Sequence, residues 1–191
     1  MSSLRAVAIS GNLASPSRSV TLSRLVLQQL ERQRSFESSL FELSHDARQL
    51  GQVLHRGEAP PEVERVLQAA ENADVLVVVS PVRRASIGGL FKHFFDLLNA
   101  EALLDVPVIV GATGAEQHRL VLEHALKPLF SFFGAQLVPT ALFASEADFD
   151  SERQPHQNLQ QRALRAAEQA AALLHPPSPR RLRANHFALE N

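Results

Sequence analysis

Short, wholly apolar runs alternate along this chain with longer stretches in which apolar residues return every third or fourth position. Leu4–Ser10 reads as a buried strand. Leu22, Leu25, Val26 and Leu30 then recur at helical spacing behind Ser17 and Ser19, either of which is a fitting N-cap. Residues 36–43 read as a second strand and the polar stretch 44–57 as a loop. Pro60 and Pro61 open a helix with Val63, Val66, Leu67 and Ala70 on one face. Residues 75–79 are apolar throughout, which fits a parallel strand covered on both faces. Phe91, Phe94, Phe95 and Leu98 follow at i, i+3, i+4 and i+7. The pattern then predicts a strand over 106–112, a long helix over about 116–133, a strand over 137–144 and a helix over about 158–174.

Strands and helices therefore alternate five times. That order predicts right-handed crossovers and an α/β fold: a flavodoxin-like, five-stranded parallel sheet of order 2-1-3-4-5 with helices on both faces. In such a sheet the ligand lies at the carboxyl ends of strands 1 and 3. Two serine-rich loops fall at those two ends. One is Ser10-Gly11-Asn12-Leu13-Ala14-Ser15-Pro16-Ser17-Arg18-Ser19, and the other is Ser80-Pro81-Val82-Arg83-Arg84-Ala85-Ser86-Ile87-Gly88-Gly89. A strand-to-helix junction offers free backbone N–H groups and the positive end of a helix to an anion. The hydroxyls and Arg18 of the first loop add donors suited to a phosphate monoester, so a phosphorylated cofactor is the expected guest.

Composition narrows the function. The 191 residues suit one domain, which we place at 1–175, followed by a Pro/Arg-rich tail over 176–191 that reads as a mobile or partner-docked extension. With 19 basic and 20 acidic side chains the chain has no global field to draw it to nucleic acid or an anionic membrane. No apolar run approaches the roughly 20 residues of a membrane helix, and the start lacks a signal-peptide core. The lack of cysteine excludes disulfides, thiolate catalysis and Fe–S ligation, and fits a cytoplasmic location. Trp and Tyr are absent too, which removes two usual stacking partners of an aromatic cofactor. The eight histidines have no metal-ligand spacing. Lys92 and Asp96 read as a structural i, i+4 pair. The phenylalanines at 91, 94, 95, 130, 132 and 133 read as core or subunit interface.

Four spaced motifs carry a resemblance. They are Gly11 with Pro16-Ser17-Arg18-Ser19; Pro81-Val82 with Ser86, Gly89 and Lys92; Ala112-Thr113-Gly114; and His124-Ala125-Leu126-Lys127-Pro128. Through them the chain resembles the NAD(P)H-dependent FMN reductases of the flavodoxin-like superfamily. The nearest subgroup supplies reduced flavin to alkanesulfonate and methanesulfonate monooxygenases. The resemblance implies FMN as cofactor, NADPH or NADH as reductant and a partner monooxygenase. It also implies a homodimer or homotetramer formed through the helix around His124. As flavin-binding positions it implies Ser10, Asn12, Ser17, Arg18 and Ser19 in the first loop, Pro81, Val82, Arg83, Arg84, Ala85 and Ser86 in the second, and Thr113 and Gly114 beside the pyrimidine edge. No catalytic residue is expected, because hydride chemistry belongs to the cofactors.

Three positions depart from the family pattern. Asn12 replaces a loop serine, Ala14 replaces an arginine, and Arg83 stands where a tyrosine lies near the ring. A guanidinium can lie flat on a π-face in its place. A quinone or azo-dye reductase on the same scaffold and a flavodoxin-like electron carrier are the alternatives. Pro128 has no N–H for the carbonyl of His124, so the fourth helix either kinks or widens into a π-bulge of the kind the subgroup carries there.

Overall fold

A computed structural model describes residues 3–174, and the tail from Pro176 lies outside the described residues. In the sheet β1 (Leu4–Ser10) lies between β2 (Phe36–Glu42), at one edge, and the central β3 (Val75–Pro81). Beyond β3 lies β4 (Pro107–Thr113), and beside β4 lie two short strands, β5 (Gln136–Leu137) and β6 (Leu142–Ala144). Every pairing is parallel and the order is β2-β1-β3-β4-β5, as expected. The register sets Ser10 opposite both Glu42 and Val79, Pro81 opposite Thr113, and Thr113 opposite Ala144. All the strand ends that matter for a ligand therefore finish on one edge.

Alternate strand residues face opposite sides, and each side has its own helical cover. Ala6, Ala8, Val75, Val77 and Ile109 pack against α1 (Arg18–Gln33) and α6 (Gln157–Leu173). α6 presents Ala163, Ala166, Ala167 and Ala170, small residues that let it lie close to the sheet. On the other side Ile9, Leu76, Val78, Val108 and Val110 meet α3 (Pro61–Glu71), α4 (Gly89–Asp96) and α5 (Lys127–Phe132). Phe95 is the hub there, edge-to-face with Phe91, Phe94 and Phe130 at centroid distances of 4.9, 5.1 and 4.8 Å. Each fully buried ring contributes about 1.5–3 kcal/mol by leaving water.

Three segments depart from the sequence expectation. The loop 44–57 contains a one-turn helix, α2 (Ala47–Leu50), and a 3₁₀ turn, Arg56–Glu58. Arg56 there donates to Glu64 (2.9 Å) and Glu71 (2.5 Å), which clamps the loop to α3. The helix expected over 116–133 is instead a 3₁₀ turn (Glu116–His118), a π-turn (Leu122–Leu126) and α5. The strand expected over 137–144 is split into β5 and β6, because Pro139 supplies no N–H to the ladder. Of the phenylalanines expected in the core or at a subunit interface, Phe130 and Phe133 are buried, whereas Phe132 is 72% exposed. Lys92 and Asp96 form the expected i, i+4 ion pair.

Candidate functional site

The first loop leaves β1 against the core. Gly11 donates its amide to Val79 O at 2.8 Å, and a Cβ there would stand 2.5 Å from Phe91 Cδ2. Only glycine fits so close an approach. Asn12 is buried behind the loop, with Nδ2 3.2 Å from Ala14 O, 3.2 Å from Glu42 Oε2 and 3.3 Å from Ser44 Oγ. Its amide thus pins the loop to the end of β2. Ser17 is the N-cap of α1 in extended conformation, and its Oγ accepts from the Ser19 amide at 3.3 Å. Among the described residues no acceptor engages the amides of Leu13, Ala14, Ser15, Ser17 or Arg18. No acidic residue occupies the first turn of α1. The loop thus carries free donors at the positive end of a 16-residue helix.

Ser10, Asn12 and Ser19 are in contrast all buried. Ser10 Oγ and Asn12 Oδ1 are buried polar atoms without a hydrogen-bond partner among the described residues. Ser19 Oγ lies 2.7 Å from Thr113 Oγ1, which ties α1 to the end of β4.

The second loop is a miniature hairpin. Arg83 and Ser86 pair antiparallel, with Arg83 N donating to Ser86 O at 2.7 Å and Ser86 N to Arg83 O at 3.0 Å. Between them Arg84 (φ 50°) and Ala85 (φ 63°) both occupy left-handed conformations, the signature of a type I′ turn that ordinarily takes Asn-Gly. Residues Arg83, Arg84, Ala85 and Ser86 are exposed. Val82 ties the hairpin to β4 by donating its amide to Thr113 O at 2.8 Å. Gly114 completes the junction: its amide donates to Ala144 O, and a Cβ there would lie 2.9 Å from Val82 Cβ. The structure thus brings together the two serine loops and the Thr113-Gly114 turn, drawn from three parts of the chain.

Charges around the site are sparse. Arg18 Nη2 meets Glu146 Oε1 at 2.6 Å, while Arg83 and Arg84 form no ion pair among the described residues. Glu42, Ser44 and Glu146 are neighbours that reading the sequence missed. They stand 30, 32 and 128 residues from the side chains they touch, and the only available signal was that Glu42 ends β2. A groove of about 240 Å³ adjoins Glu42 beneath α2, lined by Phe41, His45, Arg65 and Phe94, and includes neither serine loop. Among the described residues there is no group of three His, Cys, Asp or Glu fit to hold a metal, and no helix is long and apolar enough to cross a membrane.

Further along the chain, α5 is preceded by the π-turn, in which Lys127 N donates to Leu122 O, one residue further back than in an α-helix. Pro128 follows directly. The widened turn is the alternative to a simple kink, and it leaves His124 exposed.

A doubly wound parallel sheet with its strand order reversing at β1 and β3, and a donor-lined loop at that point, defines a protein of the flavodoxin-like class. Within that class the chain belongs to the NADPH-dependent FMN reductase family, whose pattern matches residues 4–150. It is 47% identical over 171 residues to the NADH-dependent FMN reductase SfnF of Pseudomonas fluorescens, covering 89% of this chain and 91% of that one. It is 46% identical over 173 residues to an FMN reductase (NADPH) of Pseudomonas aeruginosa, covering 90% and 93%. Among solved structures, an oxidoreductase from Corynebacterium diphtheriae superimposes with a TM-score of 0.78 at 32% identity, covering 91% of this chain and 98% of that one.

Proposed function

We propose that this chain passes hydride from NADH or NADPH to FMN and hands the reduced flavin to a monooxygenase acting on sulfonates or sulfones. Membership of the FMN reductase family makes it an oxidoreductase. The observation that carries the assignment of the site is the loop from Gly11 to Arg18. Its free amides and its capping Ser17 lie at the N-terminus of α1, where Arg18 is the first helical residue, a set of donors suited to a phosphate monoester. The buried hydroxyl of Ser10 adds a donor still lacking a partner among the described residues, so the residues present fit the group.

When bound, the flavin supplies the two-electron chemistry, and the chain's residues bind and orient it. In this reading Ser17, Arg18 and the loop amides hold the phosphate, while Ser10, Asn12 and Ser19 support them from below. Pro81, Val82 and the Arg83–Ser86 hairpin, with Arg84 and Ala85 at its tip, lie along the isoalloxazine, Arg83 against its face. Thr113 and Gly114 border the pyrimidine edge. With no Trp or Tyr to clamp the ring, the flavin is exchangeable, as befits a product that leaves.

Leu120 and Phe132, 62% and 72% exposed, flank the π-turn with His124. Such apolar exposure supports self-association through this face into a homodimer or homotetramer. The need for NAD(P)H supports a cytoplasmic location.

Initial rates with NADH and NADPH against FMN, FAD and a quinone, on flavin-stripped protein, test the activity. Reduction of FMN and FAD in excess of the quinone is expected, and a quinone preference would replace this reading with the quinone reductase. Ser17→Ala combined with Arg18→Ala tests the site. It is expected to weaken FMN at least about tenfold and leave riboflavin unchanged, since a charge-assisted hydrogen bond contributes about 1.5–3 kcal/mol.

A further inference from the structure

The N-terminus of α1 already has an anion near it, and that anion comes from 128 residues further along the chain. Arg18, the first residue of the helix, is a cation at the end where the helix dipole disfavours one. No acidic side chain of α1 itself offsets it. Glu146 does so from the loop after β6, with its Oε1 2.6 Å from Arg18 Nη2.

The backbone beneath Glu146 is firmly held. Ser145 donates its amide (2.8 Å) and its hydroxyl (3.1 Å) to Asp148 Oδ2, forming a capping box around the short 3₁₀ turn Glu146–Asp148. Arg162 of α6 then fixes that turn, donating to Asp148 Oδ1 at 2.5 Å and to Phe143 O at 2.7 Å. The side chain of Glu146 is in contrast 85% exposed, and that of Arg18 is 39% exposed. The stem is rigid and the carboxylate is free to swing into solvent. An ion pair so open to water is weak and is readily traded for a stronger partner.

We propose that Glu146 is a built-in competitor for the flavin phosphate: its carboxylate holds Arg18 until the phosphate of FMN displaces it. The inference rests on the assignment of the Gly11–Arg18 loop as the phosphate site. A dianionic phosphate surrounded by several amides outcompetes a single exposed carboxylate, so the competitor lowers flavin affinity without abolishing it. The same contact favours release, because Arg18 has a partner waiting as the phosphate departs.

Glu146→Gln keeps the size of the side chain and removes its charge. Fluorescence titration of the full-length variant is expected to show FMN bound about two- to fivefold more tightly, the range set by an exposed ion pair, with a correspondingly slower dissociation in stopped flow. Riboflavin, which has no phosphate, is expected to bind as to wild type. In an Arg18→Ala background Glu146→Gln is expected to have no effect on FMN, because the competitor has lost its target. Unchanged or weakened FMN binding in Glu146→Gln, an equal gain for riboflavin, or a gain that persists without Arg18 would each overturn the proposal. Arg18→Ala alone separates the two ideas. If it weakens FMN while Glu146→Gln is silent, only the competition falls; if it leaves FMN untouched, the phosphate site falls and the competition with it.

Discussion

Ser19 and Thr113, 94 residues apart in the chain, share a hydrogen bond of 2.7 Å between their hydroxyls. Both are buried, so the bond joins the first turn of α1 to the end of β4 from inside. Removing either hydroxyl strands the other in a dry environment. Ser19→Ala or Thr113→Val is expected to cost about 1–3 kcal/mol in urea unfolding, and the double variant less than the sum of the two. Additive losses would mean that the two hydroxyls do not depend on each other.

The hairpin tip holds strain that can be released. Ala85 sits at φ 63°, a conformation that costs an L-residue about 1–2 kcal/mol and glycine almost nothing. Ala85→Gly is therefore expected to raise the unfolding midpoint, with a gain of up to about 1 kcal/mol after the added chain entropy. A lower midpoint would show that contacts of the Ala85 methyl outweigh its backbone conformation.

Arg83 in the same hairpin should distinguish the two redox forms of the flavin. A guanidinium against the ring favours the electron-rich reduced state. Arg83→Ala is expected to weaken reduced FMN more than oxidised FMN and so lower the midpoint potential of the bound flavin. A redox titration that finds the potential unmoved would remove Arg83 from the ring.

The π-turn contains one residue more than an α-helix of the same span needs. Deleting His124 is expected to restore the regular register, tighten FMN retention and slow turnover with free FMN. Kinetics with and without preloaded FMN, together with a sizing column, check this. Wild-type affinity, turnover and size in the deletion variant would separate the π-turn from flavin exchange.

The clamp at Arg56 makes stability depend on acid. Hydrogen bonds from the Arg56 guanidinium hold the Glu64 carboxyl below its ordinary value of 4.5, with burial opposing them. A carboxyl depressed in the folded state contributes stability above its unfolded value and loses it as the pH falls through the folded one. Arg56→Met is expected to cost about 1–2 kcal/mol at pH 7, allowing for partial solvent exposure. The gap from wild type should shrink below pH 4.5. A gap constant with pH would mean that the clamp acts by packing alone.

The central architecture was open to sequence reading because burial on two faces writes itself into composition. Val75 to Val79 has no polar residue at all, and Leu22, Val26 and Leu30 hold the phase of α1 over its whole length. The two serine loops were legible because strand order alone dictates where ligands go. Less legible was the segment before α5. Ala115 offers no side chain to cap a helix, so the chain tightens to 3₁₀ before it widens to π. Pro139 was a visible warning against one continuous strand. Glu146 carried no local mark and Glu42 only its place at the end of a strand, because their partners arrive only through folding.

The interruption at Pro139 has a consequence for behaviour in a crowded solution. A long unpaired sheet margin is a template on which another molecule can zip by main-chain hydrogen bonds alone. Here the margin beyond β4 consists of a two-residue and a three-residue strand separated by four residues, one of them Pro139 with no N–H to offer. No continuous row of donors and acceptors is left along that flank for a stranger to copy. A polypeptide rich in valine runs is thereby guarded from fibrous stacking on that side, at the expense of a few ladder bonds.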